Sequence, residues 1–291
     1  MAKKNLGEMS FLDHLEELRW LLVRSSAAIL ICATVAFFFS DFIFNEIIFG
    51  PKNINFISYR LFCELSTQLD LSESFCVTEL PFNIQNTAIE GQVSLLIWTC
   101  ITAGFIIAFP YILWLLWKFI SPALYEKERK YTKAFVSIAS LLFFLGVLFG
   151  YFIIIPMSVN FFATFTVSPE IKNDINIQSY ISMIKTSVIA SGLIFEMPII
   201  IYFLSKVGLV TPSFLRKYRK YAIVLILIVA AIVTPPDVVS QVIVSIPLLV
   251  LYEISIFISA AVLKNKEKEL LLKQKKKLQS QKLLQKLQKL R

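Results

Sequence analysis

The chain has 291 residues, of which 57% are hydrophobic, and its mean hydropathy is +0.71. Soluble domains are about 45–50% apolar even when glycine is counted, so this composition excludes a soluble globular protein. The net charge of +9 at pH 7 follows from the uneven placement of Lys and Arg along the chain, described below, and is weak support for nucleic-acid binding.

A charged amphipathic stretch, 10–24, leads into the first apolar run. Ser10 followed by Asp13 resembles a helix-capping signature, so we predict that a helix begins here. Its carboxylates include Glu16 and Glu17, placed where the positive end of the helix dipole favours them. A solvent-exposed helix shows the same pattern, so the pattern alone does not assign these acids a binding role.

Six apolar segments approach or exceed the roughly 20 residues that a helix needs to cross a membrane. They are 20–40, 94–119, 134–156, 181–204, 221–234 and 238–263. We therefore predict an all-α polytopic membrane protein with six transmembrane helices, of which the fifth and sixth are short. The fifth rises only about 21 Å, against a hydrocarbon core of about 30 Å. We divide the chain into a membrane domain, 1–263, and a basic tail, 264–291.

The distribution of Lys and Arg predicts the orientation of these spans. The segments 1–19, 118–133, 206–220 and 264–291 together hold 24 of the 29 basic residues, whereas the segments on the other side hold three. Because basic loops stay in the cytoplasm, we expect both termini to be cytoplasmic. The tail is rich in Lys, Leu and Gln, and we leave open whether it binds anionic lipid or is disordered.

Loop 1, the long segment 41–93, is expected outside the cytoplasm. A loop of this length is expected to have structure of its own, and we predict short helices in it. Cys63 and Cys76 lie in this loop, where a disulfide and two free thiols are equally compatible with the sequence. The other two cysteines, Cys32 and Cys100, lie in spans and are expected to pack as small residues.

Three polar groups stand out in or near the later spans. Glu196 lies well inside an apolar run, where a carboxylate costs several kcal/mol, and such a residue is a functional candidate by default. A hydrogen bond between helices is the structural alternative. Thr234 and Gln241 flank the tight turn Pro235-Pro236-Asp237 and are candidate contacts for a partner helix, with turn capping as the alternative.

The loop between the second and third spans carries acids among its basic residues. Glu126 and Glu128 alternate with Lys127, Arg129 and Lys130, although positive charge alone would satisfy the topology. Pairing within the loop explains the acids from pattern alone.

Five short motifs, in order on six spans, resemble the TatC family, the C subunit of the twin-arginine protein translocase. They are His14-Leu-Glu-Glu-Leu-Arg19, Ser121-Pro-Ala-Leu-Tyr-Glu-Lys-Glu-Arg129, Phe195-Glu-Met-Pro198, Leu215-Arg-Lys-Tyr-Arg-Lys-Tyr221 and Thr234-Pro-Pro-Asp-Val-Val-Ser-Gln241. The resemblance covers about 11–263, except for loop 1, which is longer than is usual in the family, and the tail.

The resemblance implies a bacterial inner-membrane receptor for folded proteins that carry an Arg-Arg signal and are exported with the proton-motive force. It implies a signal-peptide site at Glu17, Glu128, Arg19 and Arg129. It also implies that Glu196, Thr234 and Gln241 contact single-span TatA/TatB-type subunits, and that the protein forms homo-oligomers within the complex.

Two other functional classes are less consistent with the residues. An ion-coupled transporter of a small solute would use Glu196 as its proton site, but the internal repeats common in such transporters are not evident. An intramembrane enzyme would need a catalytic motif, and the sequence has no HExxH, no GxSxG and no pair of aspartates within the spans. We therefore expect neither catalysis nor a metal or cofactor.

Overall fold

The computed structural model describes residues 11–68, 76–77, 79–120, 132–168, 170 and 173–289. The chain folds as two compact units, which we describe separately. Unit 1 comprises Met1–Phe195 and Ala230–Val244, and unit 2 comprises Glu196–Val229 and Ser245–Arg291.

Helices account for most of the described residues. In chain order they are α1 (Phe11–Phe38), α2 (Ser40–Phe42), a π-helical turn (Ile43–Ile48), a 3-10 turn (Gly50–Lys52), α3 (Ile57–Gln68), α4 (Gly91–Ile120), α5 (Thr132–Phe149), a π-helical segment (Gly150–Ile154), α6 (Ile155–Thr164), α7 (Ile177–Phe195), α8 (Met197–Val207), α9 (Pro212–Lys217), α10 (Arg219–Val233) and α11 (Val238–Lys289). Two short strands, β1 (Asn83–Gln85) and β2 (Asp174–Asn176), complete the list.

Five helical segments of the described chain are long and apolar enough to cross a membrane. They are His14–Phe38, Gly91–Ile120, Phe135–Thr164, Ile177–Val207 and Ser240–Leu272, and they overlap the predicted first to fourth and sixth spans. α10 overlaps the predicted fifth span and has only 15 residues, so it supplies the remaining, short crossing. The prediction of an all-α polytopic protein with six transmembrane helices is confirmed.

Two helix ends differ from the predictions. The sequence predicts that the third span ends at Pro156, but the helix continues through α6 to Thr164. Proline is tolerated there because it lies in the first turn after a π-helical segment, where few backbone bonds are lost. The sixth span is predicted to be short, but it is part of α11, which has 52 residues. No glycine or proline follows Pro247 in the sequence to end this helix.

The centre of unit 1 is formed by close contact between α1 and α4 and by aromatic stacking between α4 and α5. A Cβ atom on Gly104 would lie 2.6 Å from the backbone nitrogen of Ala33 and 2.7 Å from the carbonyl oxygen of Ile29, so only glycine fits this contact. Phe109 stacks on the fully buried Phe143, with ring centroids 3.5 Å apart. These contacts hold the first three spans together.

Three tyrosines hold loop 1 in place. Tyr151 and Tyr180, which belong to the spans of unit 1, donate hydrogen bonds to the carbonyl oxygens of Ile47 and Ile48 in the loop, each at 2.9 Å. Tyr59 belongs to loop 1 itself and donates to the carbonyl oxygen of Pro51 at 2.8 Å, a bond within the loop. Burial raises the pKa of the Tyr59 hydroxyl, so it remains a donor at neutral pH. The predicted short helices of loop 1 are therefore present and anchored.

The two strands join loop 1 to the loop after α6. β1 and β2 pair in parallel, and Ile84 stands opposite Ile175. These loops therefore lie on the same side of unit 1.

Unit 2 is held together by three polar contacts. The hydroxyl groups of Ser205 and Ser259 hydrogen-bond at 2.8 Å, and the Tyr252 hydroxyl donates to the carbonyl oxygen of Leu215 at 2.9 Å. The Arg219 guanidinium forms an ion pair with Glu253 at 2.7 Å. α8 ends at Gly208, whose φ of 93° is the left-handed conformation that favours glycine at a helix end.

Candidate functional site

The predicted acidic residue near the start of the chain is accessible. Glu17 and Arg19 lie on α1, and both side chains are exposed. Their neighbour Arg24 lies over the ring of Trp20, 5.7 Å from its centroid. Glu17 is therefore free to meet an incoming cation without first leaving a buried site.

Aromatic contacts place the start of α1 beside the ends of α4 and α5. The imidazole of His14 stacks on Phe119, with centroids 4.4 Å apart. Trp117, on the same end of α4, stacks on Phe135 of α5 at 4.1 Å. Both ends of the 121–131 segment are therefore fixed within reach of the helix that carries Glu17.

The other two predicted signal-binding residues, Glu128 and Arg129, lie outside the described residues. The described helices on either side of their segment are α4, which ends at Ile120, and α5, which begins at Thr132.

Glu196 forms the break between α7 and α8. Its backbone carbonyl accepts hydrogen bonds from Ile199 and Ile200. The side chain is 6% exposed, and neither carboxylate oxygen has a hydrogen-bond partner among the described residues. A buried carboxyl group without a partner lowers stability by about 1–3 kcal/mol. The interhelical hydrogen bond offered as the structural alternative is not formed within this part of the chain.

The predicted turn between the last two spans is present at 234–237. Thr234 is buried, and its hydroxyl donates to the carbonyl oxygen of Ala230 at 2.8 Å. Asp237 accepts a hydrogen bond from the backbone N–H of Ser240 at 2.8 Å and so caps α11. Pro235 is buried whereas Pro236 is exposed. Because the Thr234 hydroxyl hydrogen is used within the turn, its oxygen can act only as an acceptor towards another group.

Gln241 lies one turn into α11, and its backbone N–H donates to the carbonyl oxygen of Asp237. The side chain is half-buried. The structure therefore places Thr234 and Gln241 on consecutive parts of one hairpin in unit 1.

A cavity of about 850 Å³ lies in unit 1 next to this turn. The turn contributes residues 232–236 to its lining, including Thr234. α7 contributes hydroxyl and amide groups, and α6 contributes apolar side chains; the principal ones are Gln178, Ser182, Thr186, Val159 and Phe162. The volume falls within the range of small-molecule sites, roughly 300–1,000 Å³.

Cys63 and Cys76 form a disulfide in loop 1, with Cα atoms 4.4 Å apart. The pairing that the sequence left open therefore exists. Cys63 lies on α3 and Cys76 lies seven residues before β1, so the bond connects the anchored helix to the segment that leads into the strands. Cys32 is half-buried and Cys100 is buried, and both are free thiols.

Sequence reasoning missed several polar residues that organise the fold. The three anchoring tyrosines could not be separated from interfacial aromatics by spacing alone. The Arg219–Glu253 pair joins residues 34 positions apart, which no local pattern signals. Lys185 could have been found from the sequence, because a cation within the apolar run of the fourth span is a clear signal.

The family model described as Sec-independent protein translocase protein (TatC) matches residues 13–247. The Sec-independent protein translocase protein TatC of Blattabacterium sp. subsp. Periplaneta americana (strain BPLAN) is 43% identical over 265 residues, which are 91% of this chain and all of the relative. The protein TatCy of Bacillus subtilis (strain 168) is 37% identical over 92% of this chain and 95% of its own length.

The chain is also similar to two crystal structures of the twin-arginine translocase receptor TatC. They are 35% and 36% identical, with TM-scores of 0.64 and 0.66. They cover 86% and 84% of this chain, and 99% of each solved chain is covered.

Proposed function

Because the chain belongs to the TatC family of Sec-independent protein translocase proteins, we propose that it is the receptor of a twin-arginine translocase. It is a multi-pass protein of the bacterial inner membrane, and it takes part in the export of folded proteins driven by the proton-motive force. The observation that supports the receptor role most directly is that the start of α1, which carries the exposed Glu17, packs against the end of α4 in unit 1.

Glu17 and Glu128 receive the two arginines of the signal. His14 on Phe119 and Trp117 on Phe135 hold the starting points of both acidic segments at this end. Each carboxylate accepts two parallel hydrogen bonds from a guanidinium group, a geometry that the ammonium group of lysine does not reproduce. Hydrogen bonds to charged groups contribute about 1.5–3 kcal/mol each, so two such pairs are enough for selective recognition.

Glu128 makes the main pairing and Glu17 supports it. Arg19 and Arg129 lie beside these acids in sequence and belong to the same proposed signal-binding site. We assign no residue of the chain a catalytic role.

Both termini face the cytoplasm in this proposal. The basis is the concentration of 24 Lys and Arg residues on the side that carries Glu17 and Glu128. Loop 1, the disulfide and the turn at Pro235-Pro236-Asp237 then face the outside.

Single-span TatA/TatB-type subunits dock at Thr234 and Gln241, and the receptor complex contains several copies of this chain. Polar side chains within a membrane favour helix association through interhelical hydrogen bonds. Glu196, whose carboxyl group is buried without a partner in the described chain, takes part in this docking or in coupling to export.

A peptide-binding assay on the purified full chain tests the receptor role. We expect an Arg-Arg signal peptide to bind at least tenfold more tightly than its Lys-Lys counterpart. Glu128→Gln should remove most of this preference and Glu17→Gln a smaller part. The matched controls Glu126→Gln and Glu16→Gln change neighbouring acids by the same chemistry and should leave binding unaltered.

Equal affinity of the wild type for both peptides would refute the receptor proposal. An unchanged preference in Glu128→Gln, with the wild type selective, would refute only the assignment of that residue. Photocrosslinking from positions 17, 128 and 241 separates the two sites, since the signal peptide should react at the first two and a single-span subunit at the third.

A further inference from the structure

The cavity in unit 1 contains an apolar part and a polar part. Val159, Phe162 and Met183 supply apolar lining, whereas Gln178, Ser179, Ser182 and Thr186 supply amide and hydroxyl groups along one side of α7. Such a division matches an amphipathic ligand, whose headgroup takes the polar wall and whose chain takes the apolar one.

A cation lies beside the polar wall. Lys185 lies within the span Ile177–Val207, immediately before Thr186 and one helical turn after Ser182, both of which line the cavity. Its side chain is half-buried, and it forms no hydrogen bond or ion pair with any residue that the structure describes. A lysine at this depth is costly unless an anion or water meets it, and its flexible stem lets the ammonium group reach towards the interface.

The carboxylate of Asp174 lies at the loop-side end of the same wall. Asp174, in β2, lines the cavity and is exposed. α7 begins at Ile177, so Lys185 lies about 12 Å further along the helix axis, at 1.5 Å per residue. Going inward from the loop side, the carboxylate of Asp174 therefore comes first and the ammonium group of Lys185 comes second.

This order is complementary to a zwitterionic phospholipid headgroup. In a phospholipid such as phosphatidylethanolamine, the ammonium group is outermost and the phosphate lies nearer the acyl chains. An anionic headgroup without the ammonium group would satisfy Lys185 but would leave Asp174 beside a phosphate, where like charges repel.

We propose that the cavity binds phosphatidylethanolamine from the leaflet on the loop side. The lipid phosphate pairs with Lys185, its ammonium group pairs with Asp174, and one acyl chain lies against Val159 and Phe162. The site is separate from the residues proposed to bind the signal, so the proposal stands independently of the receptor role.

The test uses the full chain, purified in a neutral detergent and stripped of lipid. Native mass spectrometry measures the binding of phosphatidylethanolamine and of phosphatidylglycerol, and thermal unfolding measures the stabilisation by each lipid. We expect the wild type to bind phosphatidylethanolamine more tightly. Lys185→Met should weaken the binding of both lipids at least tenfold, because both lose the phosphate contact, and Lys185→Arg should restore it.

Two further variants separate the parts of the proposed site. Asp174→Asn should abolish the preference for phosphatidylethanolamine, because it removes the partner of the ammonium group and also the repulsion that weakens phosphatidylglycerol binding. Ser182→Phe should fill the cavity and displace either lipid, and it keeps the proposal testable if Lys185→Met does not fold. Lys220→Met, in α10, is the control for removal of a lysine elsewhere and should bind as the wild type does.

Three results would overturn the proposal. One is wild-type binding of phosphatidylethanolamine in both Lys185→Met and Ser182→Phe. Another is equal binding of the two lipids by the wild type. The third is a lack of lipid binding by the wild type together with Lys185-dependent crosslinking to a carboxylate of a single-span protein, which would assign the cavity to a partner helix.

Discussion

The imidazole of His14 is stacked on the phenyl ring of Phe119, and this contact joins the first turns of α1 to the last turn of α4. His14 lies three residues before Glu17, and Phe119 lies just before the segment that contains Glu128. The stacked pair therefore acts as a positioning contact for the two segments that carry these acids.

Removal of the ring in His14→Ala should weaken binding of the Arg-Arg peptide about threefold to tenfold. Aromatic pairs contribute about 0.5–1.5 kcal/mol, and the acids remain present but less well placed. His14→Phe keeps a stacking ring and should restore the affinity. If His14→Phe binds as weakly as His14→Ala, the stacking is not what the site requires.

Glu196→Leu should raise thermal stability and lower export. The substitution removes a buried carboxyl group that has no partner in the described chain, which should stabilise the protein by about 1–3 kcal/mol. Glu196→Gln keeps a polar side chain that does not ionise. If export requires proton exchange at this residue, the variant should export cargo poorly. Thermal unfolding and a cargo-export assay measure the two effects. Full export in both variants would leave Glu196 without a role in coupling.

Loss of the disulfide in a Cys63→Ser, Cys76→Ser double variant should destabilise loop 1. A loop of about this length contributes roughly 3 kcal/mol when closed by a disulfide. Limited proteolysis within loop 1 should become faster, and a reducing agent should have the same effect on the wild type. The Cys32→Ser, Cys100→Ser variant is the matched control and should keep the wild-type cleavage rate. Equal cleavage of the oxidised wild type and the double variant would contradict this prediction.

Gly104→Ala should lower stability by about 1–3 kcal/mol, because the new methyl group would overlap the α1 backbone at Ala33 and Ile29. Gly208→Ala is the comparison: its new methyl group would meet only the side-chain nitrogen of Lys266 at 3.7 Å, an ordinary contact, so the cost is the strain of a left-handed residue, about 1 kcal/mol. Thermal unfolding in detergent measures both. A larger loss in Gly208→Ala than in Gly104→Ala would show that the α1–α4 contact adjusts easily.

Most of the helical architecture could be predicted from the sequence because membrane crossing imposes a minimum apolar length. The same rule fails at Pro156, where the local π-helical segment Gly150–Ile154 lets the helix pass a proline that normally marks an end. The minimum apolar length also gives no information about the part of α11 that lies beyond the membrane. The composition there is polar, and no glycine or proline is present to end the helix.

The site was only partly predictable for a different reason. Thr234 is a candidate from its position beside an apolar run, whereas Glu17 is a candidate only through the family resemblance, because its pattern also fits a solvent-exposed helix. The cavity was not, since Asp174, Ser182 and Val159 come from separate elements and share no spacing in the sequence. Contacts made at long range, such as Tyr180 with Ile48 at a separation of 132 residues, have no local signal at all.

The bond between Cys63 and Cys76 has a consequence for biogenesis. Its formation releases two protons and two electrons, so an acceptor of the thiol–disulfide oxidoreductase class must take them up. In the proposed orientation this happens only after loop 1 has been inserted and exposed to an oxidising compartment. Maturation of this translocase subunit therefore depends on an oxidase that acts on the far side of the membrane.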